Sequence, residues 1–219
     1  MKFARLTCAL LSFMATAALA QQSAGPWQDC DGLTTHVTVS SDAMLPAIGP
    51  GRRLLVTCFT HAIRGSSITA GQVRLASLIP PLARGDLVAF HRPGDPATVE
   101  VRRVIALQDD KVQVRDFRVT VDDAPMRTTR VGDDRIAGAG GNPVPAVRLH
   151  EAIARGFTGY DILIPVHSTD GSGTSEALRV PDRSIFVLPD NRATTPKVLD
   201  PQLDLIPLVN LIGRLENLK

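Results

Sequence analysis

Along much of this chain, apolar and polar positions alternate in short runs set off by turn-forming residues. His36-Val37-Thr38-Val39 is β-branched and alternating, the signature of a short strand. Arg53 to Phe59 predicts a second strand, entered through Gly49-Pro50-Gly51. Gly85 to Phe90 predicts a third, entered through a Gly-Asp turn. From Thr98 the pattern is that of a meander: Thr98 to Leu107, a turn at Asp109-Asp110, Lys111 to Val114, Arg118 to Val121, and a turn over Asp122 to Pro125. Residues 127–178 break the rhythm. Gly138 to Pro143 and Asp170 to Gly173 read as loops around a helix at Val147 to Arg155 and a strand at Asp161 to Val166. Arg183 to Leu188 is a further strand, and Ile206 to Leu215 closes the chain as a short helix or strand. The pattern predicts a mainly antiparallel β protein with residues 127–178 as an inserted small lobe.

Before the first strand the pattern changes. Lys2 and Arg5 precede an apolar run from Leu6 to Leu19 and the small residues Ala18-Leu19-Ala20, which is the layout of a secretory signal peptide over residues 1–20. The run, about 14 residues, is shorter than the roughly 20 a bilayer-spanning helix needs. The mature chain is expected to begin near Gln21 and to be periplasmic or secreted; the alternative is an uncleaved segment anchored in the inner membrane. Residues 21–35 form an aperiodic tether containing Trp27, and residues 36–219 form the folded domain.

The composition of the 219 residues, 44% of them hydrophobic, is sufficient for a substantial core. The 24 basic residues face 22 acidic ones, and losing Lys2 and Arg5 with the leader balances them at 22 each. No strong field remains to attract nucleic acid or anionic lipid. Cys8 leaves with the leader, so Cys30 and Cys58 remain in an oxidising compartment. A disulfide between them is expected, with two buried free thiols as the alternative. The five histidines are scattered without metal-ligand spacing, and no phosphate-cradling glycine loop or Cys-x-x-Cys pair is present, so neither metal nor cofactor is expected.

Three stretches carry the candidate chemistry: Ser41-Asp42-Ala43-Met44-Leu45-Pro46, Glu100-Val101-Arg102-Arg103-Val104-Ile105 and Val187-Leu188-Pro189-Asp190-Asn191-Arg192. In this order and spacing they resemble the type I signal peptidases, serine endopeptidases with a Ser-Lys dyad and the patterns S-x-S-M-x-P, K-R-V-I-G and G-D-N-R. Arg84 to Phe90 and Ile206-Pro207 with Leu211 to Arg214 extend the resemblance over roughly residues 38–126 and 179–215. It implies coiled antiparallel sheets or a barrel, with a groove that holds an extended peptide by strand addition. Ala43 falls at the nucleophile position and Arg102 at that of the general base. A methyl group offers no attacking oxygen, and a guanidinium, with a pKa above about 12, stays protonated. The resemblance gives Ser41 the place of an oxyanion-hole hydroxyl and Thr195 that of a serine bonded to the catalytic lysine. Met44, Pro46, Asp190, Asn191 and Arg192 become scaffold, while the bracing Asp and Arg of the family are replaced by Lys197 and Leu199. The expected protein is a pseudoprotease binding an extended polypeptide, such as a secreted or pilin-like partner, as assembly factor or chaperone. Two alternatives stand beside it: an endopeptidase rewired through Ser41 and Lys197, and a purely structural interaction module.

Overall fold

Fourteen strands, most of them short, make up the described part of the molecule. The computed structural model describes residues 30, 34–59, 82–137, 142–152, 159–166, 176–194 and 204–216. The leader, Trp27, His61, His167, Thr195, Lys197 and Leu199 lie outside them. Among the described residues no helix is long and apolar enough to cross a membrane.

The main sheet has seven strands: β1 (Thr34–Thr38), β2 (Arg53–Cys58), β14 (Leu211–Leu215), β3 (Leu87–Arg92), β4 (Asp95–Ala106), β12 (Ser184–Leu188) and β13 (Leu205–Pro207), hydrogen-bonded in that order. Every pairing in it is antiparallel. β2 buries Leu54, Val56 and Cys58 at alternate positions, as a strand with one face on a core must. β3 and β12 are buried on both faces, which is why their sequences are nearly continuous apolar runs. The ambiguous C-terminal stretch is strand at both ends, β13 and β14, around a 3₁₀ turn, Leu208–Asn210. β14 runs so close to β2 that a Cβ on Gly213 would stand 2.1 Å from the carbonyl oxygen of Thr57.

A four-stranded sheet holds β11 (Leu178–Arg179), β5 (Lys111–Arg115), β6 (Arg118–Val121) and β7 (Ala124–Pro125). A three-stranded sheet holds β10 (Tyr160–Pro165), β9 (Pro143–Ala152) and β8 (Arg127–Ala137). The helix expected at Val147 to Arg155 is not formed: residues up to Ala152 are strand β9, paired with β8 on one side and β10 on the other. Ala146, Leu149 and Glu151 are buried along it, and the pairing to two neighbours overrides the local helix preference of Ala, Leu and Glu. β8, too polar to stand out as a strand, is held as one by the same pairing.

One apolar cluster joins the three sheets. Ile105, Ala106, Phe186 and Leu188 of the main sheet pack with Val112, Val114, Val119 and Val121 of the second and Leu149, Tyr160 and Ile162 of the third. A second cluster lies beneath the turn after β1 and contains Val37, Val39, Met44, Ile48, Leu54, Val56, Ala89, Val101 and Ile212 with both cysteines. Cys30 and Cys58 form a disulfide, with Cα atoms 6.1 Å apart and 28 residues of separation. By the chain-entropy estimate a loop of that length contributes about 3 to 4 kcal/mol.

Candidate functional site

The chain leaves β1 through Val39 and Ser40 and winds through a turn over residues 41–48. Met44 and Ile48, both buried, sink into the second cluster and fix the turn, while Ile48 N–H donates to the Met44 carbonyl at 2.8 Å. Asn191 holds it from the other side: its backbone N–H donates to the Ala43 carbonyl at 2.9 Å and its side-chain amide to the Asp42 carbonyl at 3.2 Å. Pro46 follows a cis peptide bond and lies outside the cleft lining.

This turn faces β4 across a cleft of about 220 Å³, lined on one wall by residues 38–43 and on the other by Arg92 and residues 98–102. Ala43 and Arg102 therefore share one cleft, as does Ser41, which is exposed. Ser41 Oγ accepts from the Ala43 N–H at 3.5 Å, the outer limit of a hydrogen bond. Ala43 is buried. A second hollow of about 310 Å³, lined by Thr35, His36, Val37, Thr38, Val99 and Ile212, shares Thr38 and Val99 with the first, so the two form a trough along β1. β4 pairs with β3 from Val99 to Arg103 and gains its second neighbour, β12, only from Arg103 onward. Among the described residues no strand pairs with the other edge of residues 98–102, which faces the trough.

Arg102 is tied down within the cleft. Its Nη2 is 2.6 Å from Glu100 Oε2 and its Nη1 donates to the Val101 carbonyl at 2.8 Å. Arg92 Nε donates to the other oxygen of Glu100 at 2.7 Å. Burial pushes the Arg102 guanidinium down from its ordinary value, Glu100 and Asp204 pull against that shift, and Arg92 adds to it. Sequence reasoning had not singled out Glu100 or Arg92 for the site. The signal for Glu100 was present, since residues two apart on a strand share a face; Arg92 arrives only through the β3–β4 hairpin.

Asp190, Asn191 and Arg192 are buried behind the turn and do not line the cleft. Asp190 accepts from Arg103 Nε at 2.7 Å and Nη2 at 2.5 Å, a bidentate pair, and Arg103 Nη1 donates to the Gly85 carbonyl at 2.8 Å. Burial pushes the Asp190 carboxyl up against the pull of Arg103, whereas the Arg103 guanidinium moves up because Asp190 outweighs its burial. Two parallel donations into one carboxyl require both of its oxygens as acceptors, and that geometry favours the ion pair. Arg192 Nε donates to the Pro189 carbonyl at 2.8 Å and its Nη2 to Glu151 Oε2 at 2.6 Å. Tyr160 Oη donates to the same Glu151 oxygen at 2.8 Å, and the Arg103 guanidinium carbon lies 4.0 Å from the Tyr160 ring centroid. Burial, then Glu151, raises the Tyr160 hydroxyl well above its ordinary value. Leu163 N–H adds a bond to the Asp190 carbonyl at 2.9 Å. Glu151 and Tyr160, invisible as site residues in the sequence because they lie in the irregular stretch, thus anchor the three-stranded sheet to the Asp190-Asn191-Arg192 motif. No group of three or more His, Cys, Asp or Glu side chains able to hold a metal ion occurs among the described residues.

Known proteins share this arrangement of sequence. The family model described as signal peptidase, peptidase S26, matches residues 30–214. Signal peptidase I of Rickettsia typhi (strain ATCC VR-144 / Wilmington) is 28% identical over 137 residues, 60% of this chain and 49% of that protein. Signal peptidase I of Rickettsia canadensis (strain McKiel) is 29% identical with the same coverage. The chain spans about half the length of the curated relatives it matches. A crystal structure of a signal peptidase I from Enterococcus faecalis V583 aligns with 63% of this chain and 99% of its own at 21% identity, with a TM-score of 0.34. The family match runs from the disulfide's first cysteine into the last strand and spans the turn, β4 and the buried motif, and the chain belongs to the signal peptidase family, peptidase S26.

Proposed function

We propose that this chain is a non-catalytic member of its family that works outside the cytoplasm, holding an extended polypeptide in the trough beside β1 as an assembly factor or chaperone for a secreted or pilin-like protein. The observation that supports this reading is that Ala43 and Arg102, the residues the resemblance puts at the dyad, line one cleft as a methyl group and an ion-paired guanidinium. A Ser-Lys acyl-transfer site requires a nucleophilic oxygen and a neutral amine within about 3 Å of each other. Ala43 has no such oxygen, and Arg102, a guanidinium ion-paired to Glu100, offers no neutral amine. Lys111, the one lysine among the described residues, is ion-paired to Asp123 at 2.8 Å on the four-stranded sheet. The binding half of the ancestral function needs only an open backbone edge and shallow side-chain pockets. Residues 98–102 and the trough supply both.

The test is to incubate the purified chain with labelled peptides containing Ala-x-Ala and to follow cleavage and binding together. The proposed function gives saturable binding without turnover. Turnover abolished by Ser41→Ala would overturn it in favour of a site rewired through Ser41 and Lys197.

A further inference from the structure

Charge in the trough is confined to one of its two hollows. The hollow along β1 is lined by Thr35, His36, Val37, Thr38, Val99 and Ile212, without a carboxylate or guanidinium. The other gathers Arg92, Arg102, Glu100 and Asp42 around the Ser40-Ser41 hydroxyls. There, two guanidinium groups converge on the single carboxylate of Glu100, Arg102 at 2.6 Å and Arg92 at 2.7 Å. Asp42, the remaining carboxylate of the lining, makes no ion pair among the described residues.

The replacements at the dyad change what this hollow can bind. A lysine is a point charge suited, when neutral, to taking a proton; an arginine is a planar fork of donors matched to a carboxylate. Ala43 has no hydroxyl, so space the nucleophile would fill is open to an oxygen of the ligand. The Ala43 N–H, held by Ser41 Oγ only at 3.5 Å, and the exposed Ser41 hydroxyl are further donors on the same wall. A peptide lying beside β1 with its last residue at this point would bring a terminal carboxylate among these donors, where a continuing chain would bring only a neutral amide.

We propose that the charged hollow between residues 40–43 and 98–102 binds the C-terminal carboxylate of an extended peptide, so that this protein recognises a finished chain end. The inference rests on the peptide-holding reading above and names its ligand class. A partner whose terminus has been set free by a peptidase fits it better than an uncut precursor.

The experiment measures fluorescence anisotropy of three labelled peptides on the full chain: one ending in Ala-x-Ala with a free acid, the same sequence amidated, and an amidated form with glutamate as the last residue. The free acid is expected to bind at least tenfold more tightly than its amide. Arg92→Gln and Arg102→Gln should each shrink that ratio, and Asp42→Asn should enlarge it. Arg92, the more exposed of the pair, provides the variant that keeps its fold if Arg102→Gln does not. Equal binding of acid and amide would overturn the carboxylate inference and leave the groove standing. Preference for the glutamate amide would overturn terminus recognition in favour of an acidic side chain. Failure of all three to bind would overturn the groove as well.

Discussion

Removing the Glu151 carboxylate tests whether the three-stranded sheet is fastened to the site motif by buried charge. Glu151 is fully buried, and its Oε2 receives both Arg192 Nη2 at 2.6 Å and Tyr160 Oη at 2.8 Å. Glu151→Ala leaves a guanidinium, 1% exposed, whose remaining acceptor among the described residues is the Pro189 carbonyl. Breaking one side of a buried ion pair costs about 3 to 5 kcal/mol. About 4 kcal/mol, the middle of that range, is the expected loss. Against a total stability of about 5 to 15 kcal/mol this is a large fraction, and it lowers the melting temperature by roughly 8 to 16 °C for a chain of this size. Urea unfolding followed by far-UV circular dichroism measures it. Glu151→Leu combined with Arg192→Leu should lose less than the sum of the single changes, because the pair is removed together with its desolvation cost. A loss under about 1 kcal/mol for Glu151→Ala, or strict additivity in the double variant, refutes the fastening.

Four other outcomes follow from the same geometry. Ala43→Ser with Arg102→Lys should give no cleavage of Ala-x-Ala peptides, because Glu100 would hold the new lysine in its charged form; adding Glu100→Leu should bring slow turnover, read by mass spectrometry of the products. Gly213→Ala should destabilise the chain by about 1 to 3 kcal/mol in the same urea assay, since its Cβ would overlap the Thr57 carbonyl across the β2–β14 pairing. The Tyr160 hydroxyl ionises at higher pH folded than unfolded, so its contribution to stability is complete below its ordinary value of 10.0 and is lost as pH rises toward the folded value; melting scans above pH 10 should fall less steeply for Tyr160→Phe. Replacing Cys30 and Cys58 by serine together should cost about 3 to 4 kcal/mol in urea unfolding under oxidising conditions.

Much of the fold follows from local pattern. Leu54, Val56 and Cys58 on β2 and Val112 and Val114 on β5 bury alternate side chains, and that period of two is visible in the residues themselves. The stretch at Val147 misleads because its composition suits a helix while its partners on β8 and β10 lie as far away as Arg127, 25 positions before Ala152 (152 − 127). No local window contains the hydrogen bonds that decide it. The side-chain chemistry of Ala43 and Arg102 was likewise legible, since a methyl group carries no oxygen and a guanidinium no usable lone pair whatever surrounds them.

What the sequence by itself determined, then, is a mainly antiparallel β chain of the signal peptidase kind. Tertiary structure alone decided that Glu100 and Arg92 clamp Arg102, that Glu151 and Tyr160 brace Asp190-Asn191-Arg192 from a separate sheet, and that a trough runs beside β1. The division has a physical origin. Alternation and side-chain reactivity are properties of a residue and its near neighbours, whereas a buried ion pair depends on distance, and Arg192 reaches Glu151 across 41 positions of chain only when three sheets close on one core.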